Sequence, residues 1–200
     1  SYADARIRIE LFRDSFIGHE PRLQLARIIA NSYTYLIEET NHDTFNIRDK
    51  GMAAILTDLT TYYLADDKVI VWAHNAHIAE NLYNIEYYEG MGYYLKEFWQ
   101  DELYTVGLFM IKGASANNFR ESVKVGAHNI DSLESLAASV TKDIIFLPFT
   151  TINEAGLEDD WLHTETFNKN WGAWNQKTIL AEAYDAVVII ENSTMPDYLD

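Results

Sequence analysis

Apolar residues recur at three- and four-residue steps between Arg22 and Glu39: Leu23, Leu25, Ala26, Ile29, Tyr33, Leu36 and Ile37. That spacing lines one face of a helix, with Pro21 suited to its first turn and Asn41-His42-Asp43 ending it. A second stripe, Met52, Ile55, Leu56, Leu59 and Tyr63, predicts a helix from Arg48 to Leu64, with Asn46 placed to cap it. The pattern then changes. Lys68-Val-Ile-Val-Trp-Ala73 is a continuous apolar run rich in β-branched residues, the signature of a strand buried on both faces. A helix is expected from Gly90 to Trp99, a strand from Leu103 to Met110 and a short helix from Ser132 to Val140. Further strands are expected from Asp143 to Leu147, closed by Pro148, and from Ala186 to Ile190, while residues 150–178 read as irregular and Trp-rich. Helices alternating with short apolar strands predict an α/β fold with a mixed, largely parallel sheet flanked by helices. No Pro/Gly/Ser linker divides the chain, so residues 1–200 are expected to be a single domain. Ala127-His128-Asn129 repeats Ala73-His74-Asn75, but three residues are read as chance.

Composition narrows the function classes. With 48% hydrophobic and 14% aromatic residues, the 200-residue chain has ample material for a core. A formal net charge of −16 argues against binding nucleic acid or an anionic membrane, both of which call for basic patches. No apolar run approaches the roughly 20 residues of a membrane span. The absence of cysteine excludes disulfides, zinc fingers, iron–sulfur ligation and a thiol nucleophile. It leaves the compartment open between cytosol and periplasm. Residues 1–10 look like the interior of a structured element, so the chain is expected to be a piece of something longer or a processed product.

The candidate chemistry concentrates in Val69-Ile-Val-Trp-Ala-His74-Asn75-Ala-His77, where an apolar run meets a polar tripeptide. Ligands in open α/β sheets sit just beyond the carboxyl ends of strands. Histidine is the usual neutral-pH base, and an Asn there can orient an imidazole or donate to an oxyanion. The alternatives are a capped strand end with two satisfied histidines, or a metal site. The spacing of His74 and His77 is not that of HExxH, and no third ligand is marked. Arg48, beside Asp49 at a helix start, is unfavourable against the dipole, which points to a carboxylate partner or an anionic intermediate, or to a solvated Arg. Ser115 lacks the second glycine of G-x-S-x-G, and Gly107 to Gly113 is no phosphate loop. His163-Thr-Glu165 reads as a proton-transfer pair or a surface pair. The tyrosines of 83–94, Tyr87 and Tyr88 among them, are core and rim aromatics or the lining of a cleft for a large amphipathic ligand.

Five ordered blocks together resemble the erythromycin esterase family: Arg48-Asp49-x-x-Met52-Ala53; Lys68-Val-Ile-Val-Trp-Ala-His-Asn-Ala-His-Ile78; Met91-Gly92-x-x-Leu95; Tyr104-Thr-Val-Gly107 with Gly113; and Ala183 to Thr194. The resemblance implies a metal-independent hydrolase without cofactor, acting on a carboxylic ester or macrolide lactone through histidine-activated water aided by glutamate and arginine. It implies His74, His77 and Arg48 as catalytic residues and Asn75, Tyr87, Tyr88 and Met91 around the substrate. The expected partners are a small-molecule ester or lactone and the N-terminal segment of the same protein, with no nucleic acid and no membrane. One departure matters. The family's Gly-Glu-x-x-His-Gly segment, which supplies the general base, has no match here, since Gly18-His19-Glu20 has another order and spacing. The chain is thus expected to be the C-terminal portion of a larger domain, inactive or nearly so by itself. A small polar island in an acidic surface would suit a neutral or cationic substrate such as an amino-sugar macrolide.

Overall fold

The computed structural model describes residues 21–42, 45–81, 89–117, 119–126, 128–140, 142–154, 161–170 and 174–197. Its helices are α1 (Pro21–His42), α2 (Phe45–Tyr62), α3 (Asn75–Ile78), α4 (Met91–Trp99), α5 (Leu133–Ala138), α6 (Phe149–Glu154) and α7 (Leu180–Ala183). Its strands are β1 (Val106–Ala116), β2 (Ser122–Val125), β3 (Ile144–Pro148), β4 (Glu165–Asn170), β5 (Trp174–Ile179) and β6 (Ala186–Ser193). Within the span expected as one domain, the chain forms two compact units, Ser1–Ala73 with Tyr87–Leu103 and His74–Glu86 with Tyr104–Asp200.

The first unit is helical. α1 and α2 approach closely because residue 51 is glycine: a Cβ there would lie 2.6 Å from Tyr35 Cγ. Asn31 Nδ2 donates to Asp58 Oδ2 at 2.7 Å across the same pair, and the Arg27 guanidinium sits over the Tyr62 ring. The buried positions of α1 are Ile28, Ala30 and Thr34, whereas Leu25, Ile29, Tyr33 and Leu36 are exposed. The apolar stripe read from the sequence is real, but α2 packs on a face offset from it. α4 begins at Gly90, which offers no side-chain cap. Asp49, fully buried on α2, takes that role: its Oδ1 accepts the Met91 N–H at 3.0 Å, putting a carboxylate at the positive end of α4.

The second unit is built on a four-stranded sheet in the order β2-β1-β6-β3. β1 and β6 run parallel from Val106↔Ala186 to Gly113↔Ser193, and β2 and β3 pair antiparallel to β1 and β6 respectively. The α/β class and the mixed sheet are as the sequence predicts. Phe109 and Ile111 of β1 and Val187 and Ile189 of β6 form the core with Leu133 and Ala137 of α5, Phe149 and Ile152 of α6, and Leu180 and Ala183 of α7. The Tyr184 ring meets Phe109 edge-on at 6.0 Å. β4 and β5 form a separate antiparallel hairpin.

Two expectations fail here. Lys68 to Ala73, read as a doubly buried strand, is paired with no strand among the described residues, and Ile70 and Trp72 are 91% and 86% exposed. Apolar content marks a segment as able to be buried; it does not supply the neighbours that bury it. Residues 150–178, read as irregular, hold α6 and the β4–β5 hairpin. The hairpin escapes the apolar pattern because its inward positions are polar: Thr166, Asn168 and Thr178 are buried, and Gln176 Nε2 donates to Asn168 Oδ1 at 2.8 Å.

Two stability predictions follow from this packing. Gly113 has φ +109°, and a Cβ there would lie 2.0 Å from the Ser193 carbonyl oxygen on β6. Gly113→Ala should therefore cost about 2–4 kcal/mol in urea unfolding, whereas Gly126→Ala, with nothing within 4 Å, should cost only about 1 kcal/mol from its positive φ. Asp49→Ala should lose about 1–2 kcal/mol and loosen the first amides of α4 in hydrogen exchange.

Candidate functional site

α3 is a single turn, far too short to be stable alone, so its neighbours define it. His74 is its N-cap, with φ −67° and ψ 146°. The His74 imidazole Nδ1 accepts the Ala76 N–H at 3.1 Å, and the His74 carbonyl accepts from His77 N and Ile78 N. A nitrogen that accepts an N–H carries no proton, so neutral His74 bears its hydrogen on Nε2. Asn75 is 8% exposed. Its Oδ1 accepts the Leu108 N–H at 2.9 Å and its Nδ2 donates to the Leu108 carbonyl at 2.8 Å, both on β1. The chain beyond the turn is tied down as well. Glu80 N–H donates to the Ala183 carbonyl, and Thr105 Oγ1 donates to Glu80 Oε1 at 2.9 Å.

His74 and His77 both lie on this half-buried turn. Burial, and then the neighbouring His77, lower the His74 pKa from its ordinary 6.5 to about 4. His74 is accordingly a neutral imidazole with one N–H at neutral pH.

Arg48 belongs to the helical unit, where its Nη2 is 3.9 Å from Asp49 Oδ2. Met91, expected around the substrate, is 4% exposed, with its N–H bonded to Asp49. Asn75, also expected there, has both its amide groups on Leu108. Tyr87, Tyr88 and the Gly18-His19-Glu20 segment lie outside the described residues. Ser115 sits in the β1–β2 ladder opposite Val123, in no nucleophile elbow. Glu165 pairs with Lys177 at 3.2 Å on the surface. Among the described residues, no group of three or more His, Asp and Glu could hold a metal ion. No helix among them is long and apolar enough to cross a membrane.

One buried polar cluster escaped the sequence. His128 Nε2 bonds the Ile111 carbonyl, its Nδ1 faces Glu134 Oε2 at 3.8 Å, and Glu134 Oε1 accepts the Lys169 N–H at 2.7 Å. Lys169 Nζ donates to the Gly126 carbonyl at 2.6 Å. Glu134 follows an N-cap serine, a position that normally faces water, and nothing in the spacing marks it as fully buried.

Comparison with known proteins follows the same lines. The family model described as erythromycin esterase matches residues 18–193. The Bacillus subtilis (strain 168) protein named "Putative hydrolase YbfO" is 29% identical over 182 residues, an alignment covering 80% of this chain and 40% of that protein. Two solved structures share the fold: a succinoglycan biosynthesis protein (TM-score 0.76, 15% identity, 96% of this chain and 50% of that one) and a Bacillus cereus protein (TM-score 0.72, 19% identity, 96% and 51%). The chain spans about half the length of these proteins or less. With nearly the whole described chain inside the family match, the chain belongs to the erythromycin esterase family.

Proposed function

We propose that this chain carries part of the site of a hydrolase acting on carboxylic ester or macrolide lactone bonds through histidine-activated water, without metal. The observation that carries the reading is the His74 turn. Its imidazole is held neutral by burial, with Nδ1 engaged by Ala76 N–H and the proton on Nε2. In that state His74 is a hydrogen-bond donor. Aimed at an ester carbonyl, Nε2–H would stabilise the oxyanion that develops when water attacks, without giving up its proton. The proton taken from water then goes to another histidine, either His77 or the histidine that the family's Gly-Glu-x-x-His-Gly segment carries. On the resemblance, Arg48 would also stabilise the anionic intermediate. YbfO's name as a hydrolase supports the same reaction class.

The test is hydrolysis of aryl esters and macrolides by the complete gene product. His74→Ala should lower kcat/KM by about 10²–10³-fold, the effect of removing one oxyanion donor, and a chelator should leave activity unchanged. Unaltered turnover in His74→Ala would discard the assigned role. Activity lost to chelation and restored by zinc would move the reading to a metal-dependent enzyme using His74 and His77.

The lowered pKa also makes a stability prediction. His74 takes up its proton near pH 4 when folded and near 6.5 when unfolded, so between those values the unfolded chain binds more protons. The contribution of neutral His74 is complete above pH 6.5 and is lost as pH falls towards 4. Urea unfolding at pH 7 and pH 4.5 should show the loss, and His74→Gln should show a smaller one.

A further inference from the structure

We infer that Asn75 is a positioning residue: its side-chain amide stands in for a strand partner on β1 and sets where the turn presents the His74 and His77 imidazoles. The inference rests on reading those histidines as site residues, and it gives Asn75 a role other than contact with substrate.

The chemistry lies in the pairing. A carboxamide carries an acceptor and a donor in the same planar arrangement as a peptide group. Asn75 uses both on one residue, Leu108, at 2.9 and 2.8 Å, the two-bond exchange that residues facing each other in an antiparallel ladder make. Leu108 is itself inside the parallel ladder, opposite Val188. A strand held on its other side by β6 therefore fixes the Asn75 side chain. Asn75 lies next to His74 and two residues before His77 on a single turn, so its anchoring fixes both backbones. Glu80, held by Ala183 and Thr105, pins the downstream end. No other side chain of this size offers the same pair of groups. Aspartate would set a carboxylate oxygen against the Leu108 carbonyl, and glutamine would push the turn away by about one C–C bond length.

The experiment is NMR of the 200-residue chain labelled with ¹⁵N and ¹³C, which needs no turnover and so stands whether or not the hydrolase reading holds. In the wild type, a scalar coupling across the hydrogen bond from Asn75 Nδ2 to the Leu108 carbonyl should be detectable, and the Leu108 amide should exchange slowly. In Asn75→Ala, Leu108 exchange should rise about tenfold or more. The His74 ring should lose its fixed Nε2–H tautomer, and its titration midpoint should rise by about one unit or more towards 6.5. Asn75→Gln should shift the same signals, because it keeps the amide but not its reach. A merely structural Asn75 would leave the His74 tautomer and titration unmoved. The His128 ring, bonded to the Ile111 carbonyl of the same strand, should be unaffected and reports that the fold persists. Unchanged His74 and Leu108 signals in a folded Asn75→Ala would overturn the inference. If that variant does not fold, the wild-type coupling decides: its presence supports the inference and its absence overturns it.

Discussion

The parallel pairing of β1 with β6 is the constraint on which the sheet-containing unit depends. It joins residues about eighty positions apart, so its closure entropy must be offset by something other than local propensity. Part of the offset is the core that the two strands share, Phe109 and Ile111 against Val187 and Ile189. The rest is fastening at both ends. Asp185 Oδ2 accepts the Thr105 N–H at 2.7 Å before the ladder starts, and Thr105 in turn accepts from the amides of Asp185 and Ala186. At the far end Ser193 Oγ donates to the Ala114 carbonyl, beside a glycine whose hydrogen leaves room for the partner backbone.

β1 anchors two histidine-bearing segments of this unit. Leu108 receives Asn75 and Ile111 receives His128, while Thr105, just before the strand, donates to Glu80. A strand already saturated on the β6 side thus offers its remaining groups to side chains, which convert its rigidity into fixed positions for two histidine-bearing segments. This is how a four-residue helical turn, unstable in isolation, becomes a defined platform.

How much of this was legible in the sequence depends on what a residue's neighbours leave open. β1 alternates buried and half-buried positions from Val106 to Ile111, and β6 opens with an unbroken apolar run, Ala186 to Ile190, so the apolar pattern found both. α1, α2, α4 and α5 were found within a few residues at their ends, whereas the short α3, α6 and α7 carry too few residues to show a periodicity. The β4–β5 hairpin was not, because polar side chains such as Asn168 and Thr166 are buried there on hydrogen-bond partners, and polar composition reads as loop. Lys68 to Ala73 failed in the opposite sense. It carries a continuous apolar, β-branched pattern, yet in this structure it belongs to no strand and is largely exposed. At the candidate site, residue type singled out His74 and Asn75 but left their roles open. An Asn can orient an imidazole, donate to an oxyanion or replace a strand, and only the Leu108 partner separates these. Met91 sits at its motif position and is buried, since a motif can share its residues between function and packing.

Charge is the other property that reads differently at the two scales. A chain of formal charge −16 sets up a field that should favour protonated histidine everywhere. His74 goes the other way, down to about 4. Charges more than about 8 Å away are largely screened at physiological ionic strength, whereas burial and an adjacent imidazole act at contact distance, where screening is weakest. The Ala76 N–H at 3.1 Å then selects between the two neutral tautomers, something no net charge can do. The acidity of the chain therefore bears on which solutes approach it. The protonation of His74, and with it which ring nitrogen donates, is fixed by burial, the adjacent His77 and the Ala76 N–H.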